Sequence, residues 1–85
     1  MTKFEYVIKD KEGIHARPAG QLVSEVKKYA CSVTVENKGK KADAKRLLAV
    51  MSLAAKCGET IVVTCDGEGE ALAAEAIKAF LQANL

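Results

Sequence analysis

A chain of 85 residues is long enough for one hydrophobic core and too short for two. Hydrophobic residues make up 49% and charged residues 28%, which allows a packed interior under a well-solvated surface. A net charge of only +2 does not suggest a nucleic-acid module, and no apolar run approaches the length of a membrane span.

The first stretch, MTKFEYVIKDKEG, alternates and carries charges throughout, without the apolar core and cleavage site of a signal peptide. A cytoplasmic protein is expected. Residues 3–9 place Phe4, Tyr6 and Ile8 on one side, the period of a half-buried strand. Asp10 to Gly13 is a polar loop. From Pro18 the period becomes helical, with Ala19, Leu22, Val23, Val26 and Ala30 on one face and Gln21, Ser24, Glu25 and Lys28 on the other. Pro18 fits the first turn of that helix, where its missing N–H is no loss.

Residues 31–37 alternate again, with Val33 and Val35 inward, and Asn37-Lys38-Gly39-Lys40 is a turn signal leading to a short partner strand over 40–44. The apolar run 46–56 predicts a short helix, with Gly58 available to end it. Residues 60–66, rich in β-branched side chains, predict a central strand. After the Asp66–Gly69 turn, Leu72, Ala73, Ala76, Ile77, Phe80 and Leu81 mark one face of a last helix. The order β-α-β-β-α-β-α predicts an α+β two-layer sandwich with helices on one face of a single sheet.

Three cysteines, Cys31, Cys57 and Cys65, with no C-x-x-C pair, argue against a disulfide scaffold or a zinc site. They read as reduced, at least partly buried thiols. No metal site and no cofactor are expected.

The segment Gly13-Ile14-His15-Ala16-Arg17-Pro18 holds the only histidine and the only proline of the chain beside a guanidinium. It falls where a loop meets a helix. Unpaired N–H groups at a helix start carry partial positive charge and suit an anion, above all a phosphoryl group. Arg17 adds a fixed positive charge. The same positive end favours the neutral form of His15, which is a nucleophile. From the residues alone, a surface histidine that only caps a helix is the plainer account.

GIHARPAGQLV resembles the active-site segment of the HPr family, the histidine-containing phosphocarriers of the bacterial sugar phosphotransferase system. VMSLAAKCGETIVVTCDGEGEALAAEAI is similar to the second half of the same family, so the likeness spans essentially residues 1–85 as one domain. The resemblance implies an open-faced β-sandwich, a four-stranded antiparallel sheet covered on one face by three helices. It implies that His15 accepts a phosphoryl group on Nδ1 from phosphorylated enzyme I and passes it to an enzyme IIA domain for sugar uptake. Such a protein is a carrier and not an enzyme with turnover of its own, and the role suits a monomer. Arg17 matches the arginine that helps hold the phosphoryl group, Ala16 and Arg17 the positions whose backbone N–H groups face it, and Pro18 the proline that starts the helix. The partner surface maps onto Gly20, Arg46, Leu47, Leu48 and Met51. Because the 46–56 run is apolar nearly all round, part of it is expected to stay exposed for docking.

One departure stands out. Many Gram-positive members of the family carry a regulatory serine just before the short helix, and here that position is Arg46. Arginine cannot accept the phosphate, so serine-linked regulation is expected to be absent. Arg46 also opposes the helix dipole, and Asp43 is a candidate to start the helix earlier. The family topology further places Cys31 beside Cys65. Two alternatives share the residues: the same phosphohistidine chemistry in a nitrogen-related regulatory relay, and a regulator-binding module that uses the Leu47–Met51 patch without phosphorylation.

Overall fold

β1 (Thr2–Val7), α1 (Ala16–Val26), β2 (Ser32–Asn37), β3 (Lys40–Asp43), α2 (Leu47–Ser52), β4 (Thr60–Asp66) and α3 (Glu70–Asn84) follow one another in the computed structural model, which describes residues 1–85. The four strands form one sheet in the order β1-β4-β2-β3, and every neighbouring pair is antiparallel. All three helices pack on one side: α3 against β1 and β4, α1 against α3, and α2 between α1 and β3. This is the open-faced β-sandwich that the resemblance implied.

The central place of β4 follows from its composition. Ile61, Val63 and Cys65 point into the core and are fully buried, while Val62 and Thr64 between them are only half-buried on the open face. Registration does the rest. Val63 stands opposite Phe4 of β1 and Val35 of β2, and Cys65 opposite Val33, so the inward positions of three strands share one face. Lys3, Glu5, Glu36 and Lys41 fall on the other. Ile8, Leu22, Ile77 and Leu81 close the core from the helical side, each contributing roughly 1.5–3 kcal/mol by leaving water. The Tyr6 hydroxyl donates to the Leu81 carbonyl at 2.9 Å, so a phenol is buried without an orphaned polar atom.

The β2–β3 turn matches its signal. Lys38 and Gly39 both have positive φ, at 53° and 82°, and Asn37 pairs with Lys40. That is the backbone a two-residue hairpin of right-handed twist demands.

Several expectations need correction. β1 ends at Val7, although Ile8 stays buried. α1 begins at Ala16, making Pro18 its third residue, and ends at Val26, so Ala30 lies exposed beyond it. α2 spans six residues rather than the whole 46–56 run. The chain leaves it through Ala54, which takes a left-handed φ of 49°. Gly58 therefore ends no helix; it turns the chain toward β4, with its N–H donating to the Ile8 carbonyl at 2.8 Å. Asp43 does not start α2 early. It closes β3, its side chain accepting the Lys45 N–H and its carbonyl the Arg46 N–H, both at 3.0 Å. On α3 the buried positions are Ala73, Ala74, Ile77 and Leu81, while Leu72 faces solvent at 66% exposure. α3 starts at Glu70, whose carboxylate accepts from the Gly67 N–H.

Candidate functional site

The loop between β1 and α1 is held from two sides before it reaches His15. The Leu85 main-chain oxygen, at the end of α3, accepts the Asp10 N–H at 2.8 Å. The Ala55 carbonyl, just past α2, accepts the Ile14 N–H at 2.9 Å. Between these anchors Asp10 to Gly13 makes a tight turn, with Gly13 N–H donating to the Asp10 carbonyl at 3.0 Å and Glu12 N–H to Asp10 Oδ1 at 2.8 Å. Gly13 has φ of 68° and lies so close to Ala55 and Lys56 that a Cβ would collide with their backbone. Two distant pieces of chain and one local turn thus set where His15 stands.

His15 occupies the N-cap position of α1 with extended backbone, and its carbonyl accepts the Ala19 N–H at 3.0 Å. Its side chain makes no capping hydrogen bond. The imidazole is therefore not used up in ending the helix, which removes the plain capping account. The N–H groups of Ala16 and Arg17 find no acceptor within the protein, and Pro18 has none to offer. Arg17 is exposed and forms no ion pair. His15, Arg17 and Pro18 line an open depression of about 270 Å³ together with Asp10, Gln21, Ala83 and Asn84. An imidazole, two unpaired amides and an unpaired guanidinium at one rim can receive a tetrahedral anion.

Sequence reasoning missed the acids. Asp10 and Glu12 read only as polar loop residues, yet their carboxylate oxygens lie 3.9 and 3.4 Å from His15 Nε2. The signal was available in their spacing, five and three residues before the histidine with a glycine between. They bring negative charge to the ring, opposite in sign to the helix start and Arg17.

The proposed partner residues are only partly in one class. Leu48 is 81% exposed and Leu47 41%, while Met51 and Gly20 are half-buried. Val50 is the one fully buried residue of α2, with Ala49 and Met51 packed partly against the core. The expected exposure of part of the apolar run is thus present. Arg46 holds the N-cap position of α2 without a side-chain cap bond, its carbonyl accepting the Val50 N–H at 3.1 Å.

Two thiols meet in the interior. Cys31 and Cys65 are both buried, and burial together with Cys31 pushes the Cys65 thiol up to about 11. Cys57 is exposed.

An open-faced β-sandwich with a lone histidine at the start of its first helix defines a class of small phosphorylation-site proteins. The family model described as the PTS HPr component phosphorylation site matches residues 2–83. The phosphocarrier protein HPr of Mycoplasma genitalium is 41% identical over 85 residues, spanning 99% of this chain and 97% of that protein. The HPr-like protein Crh of Halalkalibacterium halodurans is 37% identical, spanning 96% of this chain and 98% of that one. The crystal structure of HPr-C-His from Thermoanaerobacter tengcongensis superposes with a TM-score of 0.94 at 31% identity, covering 99% of this chain and 94% of its own. The chain belongs to the HPr family of phosphocarriers.

Proposed function

We propose that this protein, acting as one 85-residue unit, carries a phosphoryl group on His15 Nδ1 from phosphorylated enzyme I to an enzyme IIA domain for sugar uptake. The observation that carries the reading is the uncommitted His15 ring at the α1 N-cap, beside two unpaired amides and the unpaired Arg17. The reaction is exchange between nitrogens. The Nδ1 lone pair attacks phosphorus in line, and the departing electron pair returns to the donor nitrogen. The Ala16 and Arg17 N–H groups and the Arg17 guanidinium meet the charge on the phosphoryl oxygens. The partner completes the enclosure, so the chain alone turns over nothing.

Leu47, Leu48, Met51 and Gly20 form the docking surface in this reading, with Arg46 adding a fixed positive charge that favours acidic partners. Arg46 also makes the carrier indifferent to a serine kinase. The protein works as a cytoplasmic monomer. No helix is long and apolar enough to cross a membrane.

Intact mass after incubation with phosphoenolpyruvate, magnesium and a cognate enzyme I tests the reading. An acid-labile phosphoryl adduct that disappears with H15A is expected. No adduct, while a control carrier is labelled in the same tube, refutes it. The exposed Leu47 and Leu48 would also suit a second reading, a regulator-binding module. Loss of regulator binding with L48E and none with H15A would favour that module. A nitrogen-related relay would be recognised by which enzyme IIA domain accepts the phosphoryl group.

A further inference from the structure

The carboxylate of Glu12 has no structural task of its own. It is 74% exposed and makes no other ion pair, yet its Oε2 sits 3.4 Å from His15 Nε2. The backbone that carries it is fixed: Glu12 N–H is bound to Asp10 Oδ1, and the Gly13 turn brings His15 back beneath it. Asp10 Oδ1, 3.9 Å from the same nitrogen, is already engaged by that N–H. Both acids lie within ion-pair distance of Nε2. The opposing charges facing His15 are the α1 start and Arg17, and the α3 end contributes only Ala83 and Asn84 to the shared depression.

We propose that Glu12 is a positioning residue for His15, holding the ring proton on Nε2 so that Nδ1 presents its lone pair. The tautomer half of this rests on the 3.4 Å approach of the carboxylate to Nε2, an ion-pair distance that a small ring rotation turns into a hydrogen bond; the rest rests on the carrier reading above. In the neutral ring with its proton on Nε2, the Nδ1–P bond forms as the donor's N–P bond breaks and its electron pair returns to the donor nitrogen. The ring is now cationic, and its proton faces the Glu12 carboxylate. On transfer the Nδ1–P bond breaks, its pair returns to Nδ1, and the neutral ring reappears with the proton still on Nε2. No proton moves in either direction. Without the carboxylate the phosphorylated ring sheds its Nε2 proton more readily, and an imidazolate is a poor leaving group. Glu12 thereby keeps the phosphoryl group transferable.

The test is long-range ¹⁵N–¹H spectroscopy of the imidazole in the unphosphorylated protein, at a pH where the ring is neutral, for wild type, E12Q and E12D. Wild type should show Nδ1 in the unprotonated range and Nε2 in the protonated range. E12Q should narrow their separation toward the tautomer mixture of free histidine, and E12D should restore it in part. A separation unchanged in E12Q overturns the proposal. In the phosphorylated protein, E12Q should lengthen the life of the adduct at neutral pH several-fold; an equal or shorter life overturns the transfer half. Should no adduct form on any variant, the carrier reading fails, and the spectra still decide the role of Glu12.

Discussion

Replacing Gly13 with alanine should be the most damaging single-methyl change in the protein. The site has φ of 68°, a region that costs an L-residue roughly 1–2 kcal/mol. A new Cβ would also run into the Ala55 carbonyl and come within 2.8 Å of Lys56 Cα, and both are backbone, so neither can swing aside. The 55–56 segment must move. The first bond to suffer is the 2.9 Å Ile14 N–H to Ala55 carbonyl contact, worth about 1 kcal/mol and more if its ends stay buried and unpaired. The total is about 2–4 kcal/mol. Urea unfolding reads this directly: with a slope of about 1 kcal/mol per molar for so small a domain, the midpoint should fall by about 2 M or more. Two internal controls sharpen the result. Gly39 has φ of 82° but open space where a Cβ would go, so G39A should cost only the conformational part, about 1 kcal/mol. Gly20 lies in α1 with open space and an ordinary φ, so G20A should gain up to about 1 kcal/mol from helix propensity. If G13A proves no worse than G39A, the close packing of the His15 loop on the 55–56 segment is not what fixes the loop.

Other outcomes follow from the same structure. L48E should leave stability within about 0.5 kcal/mol, because Leu48 is 81% exposed, while weakening binding to enzyme I in a titration. An Ellman assay on the native protein should find one fast thiol, Cys57, and three only in denaturant, since Cys31 and Cys65 are buried and the Cys65 thiol is pushed up to about 11. Fast reaction at all three would refute that. The Glu59 carboxyl is held down to about 2 by Lys38 first, then by the Lys56 N–H, and Glu70 to about 2 by the terminal amine, Thr2 and the Gly67 N–H. Depressed folded-state values mean that both contribute stability above about 4.5 and lose it as pH falls toward 2. Acid titration of the unfolding midpoint should therefore be flatter over that window in E59Q/E70Q than in wild type.

Much of this protein was legible in the chain because the relevant physics is local. Alternation at 31–37 and 60–66, helical spacing from Pro18 to Val26, and the Asn37–Lys40 turn chemistry each report on one short segment, and each is present in the fold. The His15–Pro18 segment carried its own meaning too, since a helix start exposes amides wherever it occurs. Errors gathered where composition was uniform. The 46–56 run is mostly apolar and holds no glycine or proline, so nothing in it marked the exit at Ala54; that was set by how Val50 and Leu53 reach the core and how Ala55 must turn to meet Ile14. The inward face of α3 slipped for the same reason, because an alanine-rich helix offers several equivalent stripes.

The sequence by itself determined the order of the elements and put the one histidine where a loop meets a helix. Only the tertiary structure decided the surroundings of that side chain. His15 is aimed by Leu85 and Ala55, far apart along the chain, and by the local turn at Gly13. Glu12 is near in sequence, but whether its carboxylate meets Nε2 depends on a turn held by those same distant contacts. Periodicity and propensity are summed over neighbours in the chain. The charge around a ring is summed over neighbours in space, and packing alone chooses them.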